Sequence, residues 1–196
     1  MQVIKNPKKL NWVLSCLHQK GERIGLVPTM GALHEGHLSL IRRAKRENDV
    51  AVVSIFVNPI QFGPREDFRH YPRNLKRDQK LLRRKRVDFL FVPSRHSVYP
   101  KGFKDFMEPG PVARYLCGPK RPGHFRGVAT VVNRFFEMVK PDRAYFGQKD
   151  YQQARIIEEM VWRLKLPVRI KICPIIREKD GLAMSSRNSY LDIKER

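Results

Sequence analysis

The sequence predicts an α/β fold in which helices cover both faces of a doubly wound, mostly parallel sheet. Short apolar runs alternate with segments of helical periodicity along the chain, as in parallel strands joined by helical crossovers. Residues 50–57 are almost all apolar and mainly β-branched, which is typical of a strand buried on both faces. Residues 28–37 form a glycine-containing turn between an apolar run and a helical pattern.

Each predicted element follows from a local pattern. Residues 7–20 carry an apolar stripe at helical spacing, with Pro7 suited to the first turn and Gly21 to the helix end. The same criteria predict helices at 38–46, 75–85 and 128–139, and a further helix that is capped by Asp150 and ends near 164. They predict strands at 24–27, which is the first strand, and at 50–57, 87–92, 144–146 and 168–172. Residues 93–122 indicate loops, with a short strand near Phe106 and a helical turn at 112–116.

The composition favours one globular α/β domain without a membrane span. The chain has 196 residues, of which 41% are hydrophobic, and no apolar run approaches the ~18 residues that a spanning helix needs. The N-terminus has no apolar core of a signal peptide. Cys16, Cys117 and Cys173 are far apart, so neither a disulfide framework nor a zinc site is indicated. We therefore expect a cytoplasmic protein.

The charge is strongly positive and has two interpretations. Forty Lys and Arg against nineteen Asp and Glu give +21, which suits either a nucleic-acid or membrane partner or a solvated surface. The basic residues are spread along the chain with no nucleic-acid fold signature and no single helix face collecting them. A solvated surface is the favoured interpretation, with no membrane partner and no specific nucleic acid. The sequence does not explain why the excess is so large.

The turn at residues 28–37 is the first candidate site. Gly31 and Gly36 permit a sharp turn and close approach of a ligand. The first N–H groups of the following helix lack helical partners and favour an anion there. If the helix begins near Glu35, the rings of His34 and His37 can both face that ligand. For an isolated histidine pair, capping or surface packing would be the simpler interpretation.

Further segments accompany this turn. Residues 146–153 contain Gly147 and Lys149, and residues 180–188 contain Met184-Ser185-Ser186-Arg187. Together with the His-x-Gly-His turn they resemble the pantothenate synthetase family of the adenylate-forming nucleotidyltransferase superfamily. Residues 57–62 and 121–128 resemble the same family, and the resemblance runs from about residue 24 to the end. It implies a Rossmann-like fold.

The resemblance implies an ATP-dependent ligase of pantothenate biosynthesis. Pantoate would attack the α-phosphate of ATP to give pantoyl adenylate and pyrophosphate, and the amine of β-alanine would then displace AMP. ATP and Mg²⁺ would be required, and the enzyme would be a homodimer. Mg²⁺ usually keeps waters and phosphate ligands, so no dedicated protein metal site is expected, although Asp78 is a candidate to contact the ion through water.

The resemblance also implies residue roles. His37 would be the proton donor, with His34, Lys149 and Arg187 as the other catalytic groups on the phosphates. The nucleotide would contact Met30, Gly31, His34, Gly36, His37, Gly147, Lys149, Asp150, Ile176, Met184, Ser185, Ser186 and Arg187. Taken alone, Lys149 would be an exposed lysine, Asp150 a helix cap, the Ser-Ser pair a turn, and Met30, Ile176 and Met184 core residues.

Gln61 and Gln153 are the implied pantoate ligands, assisted by Asn58. A neutral amide orients a carboxylate without withdrawing its charge, so the carboxylate stays nucleophilic. The alternative for Gln153 is an exposed helix residue that bonds Asp150 one turn away. Residues 121–127 resemble a mobile loop over the site, with Gly123 and Gly127 as hinges. Gln148 departs from the Glu of many relatives, with little expected effect.

The predicted domain is residues 1–188, which bind ATP and pantoate. Residues 189–196 would begin the connection to a smaller C-terminal domain of the family that this chain lacks, and the chain alone would bind ATP but turn over slowly. Two alternatives remain open. One is another His-x-Gly-His nucleotidyltransferase, although Gln61 and the 146–153 segment do not belong to those enzymes. The other is a basic nucleic-acid-binding domain, which would need a clustered basic face with interleaved aromatics.

Overall fold

A six-stranded parallel sheet lies at the centre of the computed structural model, which describes residues 1–196. The strands are β1 (Gln2–Ile4), β2 (Ile24–Thr29), β3 (Val50–Ile55), β4 (Phe89–Phe91), β5 (Arg143–Gly147) and β6 (Arg169–Cys173). The helices are α1 (Pro7–Gln19), α2 (Glu35–Glu47), α3 (Leu75–Arg84), α4 (Arg95–Val98), α5 (His124–Val139) and α6 (Tyr151–Arg163). Short 3₁₀ segments span Pro59–Gln61, Pro111–Arg114, Gln148–Asp150 and Ser186–Tyr190.

The strand order β1-β4-β3-β2-β5-β6 confirms the doubly wound prediction. The chain moves from β2 outward through β3 and β4, then returns to the other side of β2 for β5 and β6. The direction therefore reverses between β2 and β5. In open parallel sheets such a reversal opens a crevice at the carboxyl ends of the strands, where ligands bind.

Two apolar cores cover the two faces of the sheet. One contains residues of α1, α5 and α6, including Leu10, Val128 and Ile157. The other contains residues of α2 and α3, including Ile41 and Leu82. Every residue of β3 is buried, which confirms the two-sided strand predicted from its apolar run. The helices thus pack against both faces of the sheet and fix the positions of the strands whose carboxyl ends form the crevice.

The structure corrects three local predictions. The first strand is β1, a three-residue edge strand paired with β4, and it is too short to show a period in the sequence. No strand forms near Phe106, whose ring packs on Phe103 at 5.3 Å and under Arg126 at 4.7 Å instead of entering the sheet. Helix α5 begins at His124, earlier than predicted. No helix is long and apolar enough to cross a membrane.

The basic residues are less evenly distributed than the sequence suggests. Arg42, Arg43 and Lys45 of α2 form ion pairs with Glu35, Glu47 and Asp88. By contrast, the cations on and beside α3 are exposed and form no ion pair: Arg73, Lys76, Arg77, Lys80, Arg83, Arg84 and Arg86. The only acid of α3, Asp78, is buried on the opposite side of the helix. One helix therefore does collect unpaired charge.

Candidate active site

The turn after β2 is fixed by hydrogen bonds to its backbone. β2 continues to Thr29, so the turn itself comprises Met30 to His34. The Thr29 hydroxyl donates to the Ser54 carbonyl at 2.8 Å and accepts the Gly31 N–H at 3.2 Å. Gly31 has a φ of +85°, and a Cβ there would lie 3.1 Å from Asp78 and Ile55. A side chain at this position would strain the turn.

Asp78 of α3 stabilises the same turn through hydrogen bonds to its backbone. Its two carboxylate oxygens accept the N–H groups of Ala32 and Leu33, each at 2.9 Å. The side chain is buried and does not line the cleft described next, so the suggested contact of Asp78 with a metal ion through water stays a prediction. Burial raises the pKa of Asp78, whereas the two backbone N–H groups lower it. Its role is to shape the start of α2.

The turn opens into a cleft of about 230 Å³ at the carboxyl ends of β2 and β5. The cleft contains almost every residue predicted for the site: Met30, His34, Gly36, His37, Asn58, Gln61, Gly147, Lys149, Asp150, Gln153, Ile176, Met184, Ser185, Ser186 and Arg187. Gly31 is the exception, because its contribution is the conformation of the turn. Segments far apart in the chain therefore meet at the switch point of the sheet.

His34 and His37 lie side by side, with ring centroids 4.0 Å apart. α2 begins at Glu35, as the sequence prediction required. The His34 N–H donates to Nδ1 of His37 at 3.4 Å, so a neutral His37 carries its proton on Nε2. Nδ1 of His34 is buried without a hydrogen-bond partner. A Cβ on Gly36 would lie 2.9 Å from the His34 ring, so only glycine leaves space for this arrangement.

Both histidines are neutral at pH 7 in the ligand-free protein. Burial lowers the pKa of His37 to about 3, and the positive charge of Lys149, or of His34 if it were protonated, acts in the same direction. Burial also lowers the pKa of His34, with Lys149 again adding to the effect. Each ring can donate one N–H to an anion. Phosphate charge placed beside them would raise both pKa values.

Gln61 is held rigidly on the apolar side of the cleft. Its Oε1 accepts from Asn58 Nδ2 at 3.1 Å, and its Nε2 lies 3.3 Å from Met30 Sδ. Asn58 also donates to the Gly127 carbonyl at 3.0 Å and accepts from the Tyr99 hydroxyl at 2.9 Å. The amide NH₂ of Gln61 is therefore turned to act as a donor. Apolar residues surround this end of the cleft: Phe56, Val128, Val131, Val132 and Phe135.

Gly127 is a packing residue and not a hinge. It lies inside α5, and a Cβ there would lie 2.6 Å from the Ile60 carbonyl oxygen and 2.7 Å from Gln61 Cα. Only glycine lets α5 approach the Gln61 backbone so closely. Gly123, at the N-cap of α5, has a φ of +80° with open space around it, so its role as a hinge stays a prediction.

Lys149 is the cation on the side of the cleft formed by the start of α6. Lys149 Nζ lies 3.1 Å from Asp150 Oδ1, and both side chains are exposed at the cleft rim. Asp150 occupies the N-cap position of α6 but makes no side-chain capping bond, and it does not bond Gln153. The simpler interpretations of Asp150 and Gln153 are therefore wrong. Gln153 is half-buried and faces the cleft.

The segment Met184 to Arg187 covers the histidine side. Ser186 Oγ donates to the Ala32 carbonyl at 3.3 Å, and Ser185 Oγ accepts the Arg187 N–H at 3.3 Å. The Ser186 hydroxyl therefore links the segment to the first turn, whereas the Ser185 hydroxyl caps the segment's own 3₁₀ turn. The Arg187 guanidinium is bonded to Asp67 at 2.9 and 2.7 Å.

Sequence reasoning missed Tyr71, Arg121 and His124 as individual lining residues. His124 Nδ1 lies 2.8 Å from the Gln61 carbonyl oxygen, and its Nε2 lies 2.8 Å from Arg121 Nη1. Arg121 Nε in turn donates to Glu66 Oε1 at 2.7 Å. Arg121 and His124 lie within residues 121–127, which resemble the mobile loop of the family. That resemblance could have predicted them as lining residues. Tyr71 had none, because it lies in a loop without a periodic pattern.

The family model described as pantoate-beta-alanine ligase matches residues 2–196. The chain belongs to this family. A curated relative, the pantothenate synthetase of Sulfurihydrogenibium sp. (strain YO3AOP1), is 55% identical over 196 residues, which are 100% of this chain and 70% of the relative. The pantothenate synthetase of Thermosipho melanesiensis is 57% identical over the same span.

A solved structure of the same family has a closely similar fold. The pantoate-beta-alanine ligase of Francisella tularensis, solved in complex with beta-gamma ATP and beta-alanine, superposes with a TM-score of 0.94 at 44% identity. The match covers 98% of this chain and 74% of that one. The predicted family and the Rossmann-like fold are therefore confirmed.

Proposed function

We propose that the cleft binds ATP and pantoate and joins pantoate to β-alanine through pantoyl adenylate. The supporting observation is that two amide side chains, Gln61 and Gln153, share one cleft with a histidine pair at a helix start and with Lys149. Family membership over residues 2–196 and the ATP-containing relative agree with it. A nucleic-acid-binding domain and other nucleotidyltransferases are not favoured by these matches.

The phosphates of ATP would lie at the N-terminus of α2, where free N–H groups favour an anion. The Nε2–H of His37 would donate to a phosphate oxygen, and His34, Lys149 and Arg187 would add donors. A pantoate carboxylate oxygen attacks the α-phosphorus while the bond to pyrophosphate breaks, and these donors stabilise the charge on the leaving group. The amine of β-alanine then attacks the acyl carbon, and AMP leaves.

Gln61 and Gln153 would orient the pantoate carboxylate. Amide N–H groups hold it without neutralising it, so its oxygen keeps the electron density that attack needs. The fixed position of Gln61 avoids the entropy of ordering that side chain during each turnover. The apolar surface of α5 beside it fits the carbon skeleton of the same substrate.

Mg²⁺ would enter with ATP. No group of three His, Cys, Asp or Glu side chains that could hold a metal occurs in the chain. The ion would be held mainly by phosphate and water. Bound Mg²⁺ would neutralise phosphate charge. Asp150 is the one acid that lines the cleft, so it would be the carboxylate available to such an ion.

Two further features belong to the proposal. We expect a homodimer, because β6 is an edge strand and Trp162, 81% exposed, borders a groove beside it. Sedimentation velocity of wild type and Trp162→Glu would test this, and an unchanged monomer in both would contradict it. We also expect a reducing, cytoplasmic location, in keeping with three unpaired cysteines.

Pantoate-dependent exchange of labelled pyrophosphate into ATP is the decisive experiment. Exchange should require pantoate and Mg²⁺ but not β-alanine, because adenylation precedes attack by the amine. Omitting pantoate is the control. Exchange supported by an amino acid, with pantoate inert, would assign the cleft to a different ligase.

A further inference from the structure

The guanidinium of Arg187 is held from outside the cleft. Its Nε donates to Asp67 Oδ2 at 2.9 Å and its Nη2 to Oδ1 at 2.7 Å, which is a bidentate pair. Arg187 lines the cleft, whereas Asp67 does not. The two residues are 120 positions apart and meet only in the folded chain.

More than the ion pair fixes this guanidinium. Its carbon lies 5.5 Å from the Tyr71 ring centroid and 5.9 Å from that of Phe62, within cation–π range. The Tyr190 hydroxyl donates to Asp67 Oδ2 at 3.2 Å and so orients the carboxylate. The hydrogen bond between the partners lowers the pKa of Asp67 and raises that of Arg187. Both groups therefore stay charged at neutral pH.

Asp67 occupies only part of the donor set of Arg187. A guanidinium has five N–H donors in a planar fork, and Asp67 uses the edge made by Nε and Nη2. The two Nη1 protons and the second Nη2 proton form no hydrogen bond within the protein. The fork therefore keeps a second edge for a ligand that needs two parallel donors.

We propose that Asp67 is a positioning residue that holds one edge of Arg187 so that the other edge binds a phosphate of ATP. The proposal rests on the proposed function, since it requires a nucleotide phosphate in the cleft. Phosphate and carboxylate use different edges, so Asp67 does not compete with ATP. Its charge also offsets that of Arg187, so the arginine acts as an oriented pair of donors more than as a free cation.

The test compares wild type, Asp67→Asn, Arg187→Ala and the double variant. Two quantities are measured: the affinity for MgATP by calorimetry and the rate of pantoate-dependent pyrophosphate exchange. Asp67→Asn keeps the shape of the side chain but removes one acceptor and the charge. We expect exchange to fall on the order of tenfold or more, as for loss of a transition-state donor. In the Arg187→Ala background the same change should cost nothing further, because Asp67 acts through Arg187.

Arg187→Lys is the second variant. It keeps the charge but lacks a two-edged fork, so it should lose exchange to a similar extent as Asp67→Asn. Asp49→Asn is the matched control, since Asp49 pairs with the exposed Arg23 at 3.2 Å, outside the cleft. It should leave both quantities unchanged. Thermal unfolding of each variant verifies that it is folded.

Loss of exchange or of ATP affinity that disappears in the Arg187→Ala background supports the proposal. Tighter ATP binding with undiminished exchange would show that Asp67 competes with phosphate, and would overturn it. No effect, or an equal loss in both backgrounds, would overturn it as well. If wild type binds MgATP but catalyses no exchange, the proposed ligase function fails, while the cycle on ATP affinity still tests Asp67.

Discussion

At the scale of single residues, the site depends on amides and histidines whose orientation is set before any ligand binds. Gln61 accepts from Asn58 and keeps its NH₂ group for a ligand. His37 accepts from the His34 backbone and keeps Nε2–H. In both cases a hydrogen bond on one side of the group determines which atom faces the cleft. Small changes of charge at these atoms should therefore have large and selective effects.

Gln61→Glu should abolish use of pantoate while ATP binding is retained. The carboxylate keeps the length of the side chain but opposes the charge of the substrate, and like charges in contact cost several kcal/mol. We expect the KM for pantoate to rise by at least ~10²-fold. Gln148→Glu adds the same charge at an exposed position and serves as the control. A parallel loss of ATP affinity in Gln61→Glu would place this residue in the nucleotide subsite.

His37 should make the ligand-free protein sensitive to mild acid. Its pKa is about 3 when folded, because of burial, and about 6.5 when unfolded. Below pH 6.5 the unfolded chain binds a proton that the folded chain does not, so stability is full above that pH and falls as the pH drops toward 3. Between pH 7.5 and 5 the loss should be about 1–2 kcal/mol.

Denaturant unfolding at several pH values measures this effect. His37→Asn should flatten the curve of stability against pH between 7.5 and 5, although His34 and His124, whose pKa values are also lowered by burial, keep part of the slope. His96→Asn, which changes an exposed ring, is the control. A slope as steep in His37→Asn as in wild type would mean that His37 ionises freely in the folded protein.

At the scale of elements, α3 shapes the start of α2 although β3 and a long loop separate the two helices in the chain. Asp78 accepts two backbone N–H groups of the turn and thereby fixes where α2 begins. The position of that first helical turn determines where His34, His37 and the free N–H groups lie. The anion site is thus built by two elements.

Asp78→Asn should weaken both the fold and ATP binding. An amide offers one acceptor oxygen and turns its NH₂ toward a backbone N–H, so one buried donor is left unpaired at a cost of ~1–3 kcal/mol. Asp88→Asn is a matched control, because Asp88 accepts the Ala51 N–H at 2.8 Å and pairs with Lys45, outside the cleft. Calorimetric titration should show weaker ATP binding only for Asp78→Asn. Equal ATP affinity in the two variants would show that the turn keeps its shape without the carboxylate.

Across the whole molecule, one cluster of exposed cations lies on and beside α3 and contains seven of the forty Lys and Arg residues. These cations have no acidic partners, in contrast to Arg42, Arg43 and Lys45 of α2. α3 itself has no aromatic residue on which a base could stack, so its contacts with a nucleic acid would be to phosphates. Such contacts give weak, salt-sensitive binding without sequence preference.

Binding to DNA should therefore weaken steeply between low and physiological salt. Replacing Lys76, Lys80 and Arg84 by Gln should reduce the slope of log K against log salt by up to about 3, since each phosphate contact contributes ~0.9. The same change at Lys5, Lys8 and Lys9, which are also exposed and unpaired, is the control. Fluorescence anisotropy with a labelled duplex measures both. Tight, sequence-selective binding that persists at physiological salt would revive the nucleic-acid interpretation.

Most of the elements and all of the local motifs could be predicted from the amino-acid sequence. Apolar periodicity placed five of the six helices and five strands, and the three-residue spacing of His34 and His37 placed both rings at one helix start, because these features depend on neighbours within a turn or two. The one-turn helix α4 lies in a stretch predicted as loops, because four residues are too few to show a period. β1 was missed because three residues are too few to show a period. Gly127 was misinterpreted because its sequence context contains no sign of the Gln61 backbone that contacts it.

The residues that form hydrogen bonds to these motifs from elsewhere in the chain are visible only in the tertiary structure. Asp78 meets Ala32 and Leu33 across 46 and 45 positions, and Asp67 meets Arg187 across 120. The apolar periodicity of each segment predicts its helix or loop whether or not the distant partner is present. Nothing in the local sequence therefore predicts the contact. The crossovers of the doubly wound sheet bring these segments to one edge, where their backbone and charged groups must find partners away from water. The sequence thus contains the groups of the site, whereas their orientation follows from packing between distant segments.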